Sequence, residues 1–197
     1  MPPAAVVTGT GSHPPDVGPR YCLRRRWGRR AAGGAHLAGR GLGLADYYDL
    51  LAASAVGNFR ERLESVTPSP VMGVYLSMLA NQQADPELNI RPDENYAREL
   101  LQLFTIAVVE LRTDGSVRLD AVGVPLPTFD QSVIEGFAQV NTGWTFGGSP
   151  SFAEPSLDDL RPMEPFAAFH ATQPRRLLGG LSPATATAPT TAGGAIR

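Results

Sequence analysis

The sequence predicts a mainly α protein: a helical array with one β-hairpin. Three observations predict it. Apolar residues recur at helical spacing in successive stretches between residues 45 and 140. One turn, Thr113-Asp114-Gly115-Ser116, separates two short β-prone runs, Val109–Arg112 and Val117–Asp120. The ends follow neither a 3.6-residue nor a 2-residue period. The 197 residues suffice for one ordinary domain, and 43% hydrophobic content supplies a core. With 21 Gly and 18 Pro, poorly packed ends are expected.

Charge divides the chain. Residues 1–44 carry seven arginines against one acid, Asp16, a net of +6. Residues 45–197 carry ten arginines against eighteen acids, a net of −8. An acidic body thus follows a basic leader. The body's acidity argues against nucleic acid as a partner, and only the Arg-rich leader suits an anionic one. All 17 basic residues are arginine, a bias that points to genome composition before function. Cys22 is alone, so no disulfide within the chain forms. No stretch reaches the roughly 18 apolar residues of a membrane span. The start, MPPAAVVTGTGSHPPDVG, lacks the charged and apolar regions of a signal peptide.

Three segments follow in order. Residues 1–44 read as an Arg/Gly/Ala-rich leader, disordered or out of frame. Residues 45–178 form the helical body, and 179–197 an Ala/Thr/Pro-rich disordered tail. In the body, Asp46 is placed to cap a first helix, which Gly57-Asn58 breaks in two. Thr67–Pro70 is a turn, and a helix is expected over 71–82. There Met72 and Met78 read as core filler and not as a metal pair. Pro92 opens the clearest helix, running to about Val108, with Asp93 and Glu94 at the positive end of its dipole. Ala97, Leu100, Leu101, Phe104 and Val108 define its buried stripe. After the hairpin, Ala121–Pro127 reads as a loop or edge, because Pro125 and Pro127 cannot sit in a central strand. Thr128 and Gln131 have capping-box spacing for a helix burying Val133, Ile134, Phe137, Ala138 and Val140. Asn141-Thr142-Gly143 stops it.

Several blocks carry a resemblance. They are ADYYDLL from Ala45, GNFR from Gly57, PVMGVYL from Pro70, PDENYARELLQLFT from Pro92 and TGWT from Thr142. Phe169-His170-Ala171 and Arg175–Leu178 follow at sensible spacing. In this order the blocks resemble bacterial domain-of-unknown-function family 1800. The resemblance implies a largely helical protein, often exported, and longer than this chain. It makes this chain an incomplete fragment of a larger helical domain, with unrelated sequence at both ends. Two departures, Ala107 and Asn141, stand where the family pattern suggests a glycine and an aromatic or apolar residue.

The candidate site is the polar stripe of the Pro92 helix: Glu94, Asn95, Arg98 and Glu99. Glu94 and Arg98 share a face, as do Asn95 and Glu99. Trp144 is a candidate stacking wall, and His170 a group titrating near neutrality. The competing reading is an ordinary surface ion pair on a packed helix, worth about 0.3–0.5 kcal/mol. Glu94 and Glu99 are about 140° apart around a helix and form no carboxylate dyad. The chain holds no HExxH, no paired Cys-x-x-Cys, no phosphate-binding glycine loop and no GxSxG. No metal is assigned and no cofactor is named by any motif. Two functions stay open: a structural or interaction module of an exported bacterial protein, or a hydrolase-like enzyme with its site on the Glu94–Glu99 helix.

Overall fold

In the computed structural model of the protein, residues 37–181 are described. Most of the leader, with His13, Cys22 and His36, and the tail from residue 182 lie outside the described residues. The first helix, α1, spans Gly41–Ala53, so Asp46 lies inside it and does not cap it. Tertiary anchoring sets its start. Arg40, at the N-cap position, pairs with Asp159 and sits over the Phe146 ring, 5.4 Å from its centroid. The break at Gly57-Asn58 is present. Helix α2, Phe59–Val66, follows it, and the Asn58 side chain accepts the Arg60 N–H at 2.8 Å.

Helix α3 spans only Pro70–Tyr75, shorter than the expected 71–82. Ser77 and Ala80 take positive φ, 61° and 58°, and the Ala80 N–H donates to the Trp144 carbonyl at 2.8 Å. That long-range bond redirects the backbone. Met78 and Leu79 stay buried without helix, so the apolar pattern outlasts the secondary structure it suggested.

The Pro92 stretch is also rewound. Helix α4 covers Asn95–Glu99, and a π-helix, Leu100–Thr105, continues it. Pro92 precedes the helix, Glu94 is its N-cap residue, and Asp93 Oδ1 accepts the Asn95 N–H at 2.9 Å. The wider winding closes with Ile106 N–H to Leu101 O at 3.1 Å and Thr105 Oγ1 to Leu100 O at 2.7 Å. It also shifts the stripe. Ala97 and Leu101 are buried, Leu100 and Phe104 half-buried, and Val108 lies outside the helix, 47% exposed. Tyr96, outside the expected stripe, is buried instead, its hydroxyl 2.8 Å from Thr67 Oγ1. Burial raises the Tyr96 pKa, and the Thr67 hydroxyl opposes that shift.

Helix α4 joins two apolar clusters. Tyr96 enters one with Val66, Met72, Leu76, Met78, Leu79, Phe146 and Met163. Met72 and Met78 therefore do fill core space. Ala97 and Leu101 enter the other with Val133, Ile134 and Ala138 of helix α5, Gln131–Val140. Asp130 caps α5 by accepting the Val133 N–H at 3.2 Å. Thr128, the expected cap, instead donates its hydroxyl to the Ala107 carbonyl. Phe137 and Val140, expected in the core, are half-buried.

Residues 108–128 form a lobe of three short arms. The Thr113–Ser116 turn forms, closed by the bridge Leu111–Val117, with Asp114 Oδ1 accepting the Ser116 N–H at 2.9 Å. Ala121–Pro127, expected as a loop, makes a second arm bridged Leu119–Pro125, and Val109–Pro127 forms the stem. At the hub, Arg118 N–H donates to Glu110 O (2.8 Å), Leu126 N–H to Arg118 O (2.9 Å) and Glu110 N–H to Leu126 O (2.9 Å). Every donor in this ring is an eighth residue. Pro125 and Pro127 flank a donor and are never asked to donate, which is how the arms tolerate them. The one regular sheet lies elsewhere among the described residues: β1, Trp144–Thr145, pairs antiparallel with β2, Glu164–Pro165.

Candidate functional site

The helix stripe splits in two. Glu94 and Arg98 do pair, Arg98 Nη2 to Glu94 Oε2 at 2.9 Å, on a partly exposed face. Gln131, the first residue of α5, donates its amide to both Glu94 oxygens, at 3.0 and 3.2 Å. The Glu94 carboxylate is thus occupied in joining α4 to α5. Asn95 is exposed, and its side chain makes no hydrogen bond among the described residues. Glu99 is half-buried at the α-to-π junction, and its carboxylate likewise has no partner there.

Trp144 and His170 belong to a different place. No hydrogen bond or ion pair links either of them to Glu94, Asn95, Arg98 or Glu99. Trp144 lies in β1, half-buried against the first apolar cluster. His170 is buried, with Nδ1 2.9 Å from the Thr142 carbonyl. A carbonyl only accepts, so Nδ1 carries the hydrogen of this bond.

Around His170 lies a buried polar knot. Thr142 Oγ1 donates to Gln139 O at 2.7 Å and accepts the Ala171 N–H at 2.8 Å. Ala171 O in turn accepts from Arg175 Nη2 at 2.7 Å. Gly143 closes the knot at φ 85°, where a Cβ would stand 3.0 Å from His170 N and Phe166 O. Asn81 ties it to the start of α4: its carbonyl accepts the Gly143 N–H at 2.7 Å, and its side-chain oxygen the Asp93 N–H at 2.8 Å. Reasoning from residue types missed Asn81, Thr142 and Arg175 as site residues. The available signal was the TGWT and FHA blocks standing apart from any helix period.

Four buried polar atoms have no protein partner here: Gln139 Oε1, Asn141 Nδ2, Arg175 Nε and Arg175 Nη1. Arg175 is 4% exposed, and burial lowers its pKa from the usual value. Its neighbour Arg176 faces outward and pairs with Asp130 at 3.0 Å. Among the described residues, no cluster of three or more His, Cys, Asp or Glu could hold a metal ion. No described helix is long and apolar enough to cross a membrane. An open groove of about 380 Å³ between α1 and α2, lined by Leu50, Ser54, Asn58, Glu61 and Arg62 among others, includes none of the six candidate residues.

Fold and site together define a helix-dominated domain with a small antiparallel sheet, built on the α4 helix with its π-helical continuation and a buried polar knot. The chain belongs to the family described as Protein of unknown function (DUF1800), whose model matches residues 36–195. No curated protein matches the chain, and no solved structure does.

Proposed function

We propose that this chain is a structural or interaction module within a larger helical domain of an exported bacterial protein, with the three-armed lobe as its contact surface. One observation carries the reading. The lobe projects Leu111, Val117, Leu119, Val122 and Val124 into solvent, Val122 at 83% exposure, on a scaffold held by backbone bonds and not by a core of its own. Exposed apolar side chains concentrated on one rigid projection mark an interaction surface. Leu42, Tyr48 and Leu103, exposed on the helices, fit a domain whose further helices cover them. Sedimentation velocity tests the reading. The full chain is expected to self-associate as concentration rises, and Leu119→Glu with Val122→Asp to reduce association without lowering the thermal midpoint. A wild type that stays monomeric at every concentration counts against it.

A hydrolytic reading has one observation in its favour. Glu99 offers an unpartnered carboxylate at the start of a π-helix, a winding often found at functional sites. A panel of chromogenic esters would show turnover abolished in Glu99→Gln at unchanged stability, whereas turnover surviving that substitution removes Glu99 from the reaction.

A further inference from the structure

We propose that Arg175 anchors a carboxylate-binding site, filled in trans by a free small carboxylate or by an Asp or Glu side chain of another polypeptide. Four observations converge. Arg175 is 4% exposed, and only Nη2 has a protein acceptor, leaving Nε and Nη1 without one. A buried charge with two unmet donors is costly, and a carboxylate repays both the charge and the hydrogen bonds. No carboxylate of the described residues lies within ion-pair distance of it; six described arginines have such a partner, and the other three without one, Arg62, Arg91 and Arg112, are not buried. Beyond the described residues, Asp16 is the one acidic side chain.

The site is built into a fixed stretch of backbone next to the surface. Thr172, Gln173, Pro174 and Arg176 are all exposed, and Arg175 alone in this stretch is buried. The backbone that receives it is fixed by Thr142, which holds Ala171 N–H while Ala171 O holds Nη2. Asn141 Nδ2, hung from the same stretch of backbone, is a further buried donor without a partner. One guanidinium with neutral donors around it matches a monoanion. The next arginine, Arg176, is committed to Asp130, so no second cation is aimed at a phosphate dianion.

The test is a titration of the full chain, labelled on arginine, followed through its Nε–Hε resonances. Sodium acetate is expected to move one resonance saturably, while sodium chloride at equal ionic strength does not. That resonance is expected to be absent in Arg175→Met and present in Arg176→Gln. A rise in the thermal midpoint with acetate over chloride reads the same event without any variant. If the physiological carboxylate belongs to a polypeptide, a short oligoglutamate peptide binds at least tenfold tighter than acetate; comparable affinities assign a free small molecule. No saturable shift in the millimolar range, or a shift with inorganic phosphate and none with acetate, overturns the proposal. So does an acetate response that emerges only in Asp16→Asn, because the chain would then supply its own carboxylate.

Discussion

Two adjacent arginines, Arg175 and Arg176, open onto two kinds of polar region. Arg176 faces out to Asp130 and belongs with the surface stripe, where Glu94 meets Arg98 and Gln131. Glu94, Arg98, Asp130 and Arg176 each have a partner, and all the charges there, Glu99 included, are at least partly exposed, so the groups are comfortable whether or not anything binds. Arg175 faces in to a knot of Thr142, His170 and Ala171, where water is excluded and two of its donors have no protein acceptor. The stripe is dense in charge and energetically slack, whereas the knot is sparse in charge and tight. Polar density along a sequence is therefore a poor guide to where polar energetics concentrate.

The comparison breaks most readily at Thr142. Thr142→Val keeps the shape and removes one hydroxyl, leaving the Ala171 N–H unmet in the interior and the Gln139 carbonyl with only the longer Thr142 N–H bond at 3.3 Å. The expected loss is about 3 kcal/mol, read as a lower urea midpoint at unchanged slope. Gly136→Ala comes next. A Cβ there would stand 2.0 Å from the Arg176 carbonyl, forcing the 175–176 segment off α5. A cost of about 2 kcal/mol is expected, together with a shifted Arg175 Nε resonance if the segment indeed seats that side chain.

These two residues also show what the sequence could and could not tell. Val133, Ile134 and Ala138 were legible because α5 is regular and one face meets the core. The Gly57-Asn58 break and the Asp114-Gly115 turn were legible because each rests on local backbone chemistry. The Pro92 helix was legible in place but not in winding. Its π segment displaces Val108 from the stripe and admits Tyr96, and neither effect leaves a mark in apolar spacing. The knot was hidden for a related reason. Asn81, Thr142 and Arg175 are 33 to 94 residues apart and meet through backbone atoms, which carry no residue-type signal. Glu94 and Arg98 were found because four-residue spacing is local, and they proved to be the pair that needs explaining least.

Acid pH probes the outward side. The Ser132 hydroxyl, the Val133 N–H and Arg176 hold the Asp130 carboxyl below its ordinary 3.8. The folded pKa is the lower one, so its contribution is fully present above the unfolded value and is lost as pH falls through the folded one. Asp130→Asn still caps α5, so the thermal midpoint near neutrality is expected to change little. Its acid limb below about pH 4 should be flatter than the wild type's. An unchanged acid limb would mean that Asp130 is no better stabilised folded than unfolded.

The smallest effect expected is the most informative about the stripe. Glu94→Ala removes the Arg98 pair and both Gln131 contacts at once. The groups left behind reach water, so about 0.5 kcal/mol or less should be lost, and less still at high salt. A loss several times larger, insensitive to salt, would show that the α4–α5 junction depends on Glu94 as the knot depends on Thr142. The two regions would then differ in exposure and not in energetic weight. A loss within the expected range leaves Glu94 as a spacer between two helices that Ala97, Leu101, Val133 and Ala138 already hold together.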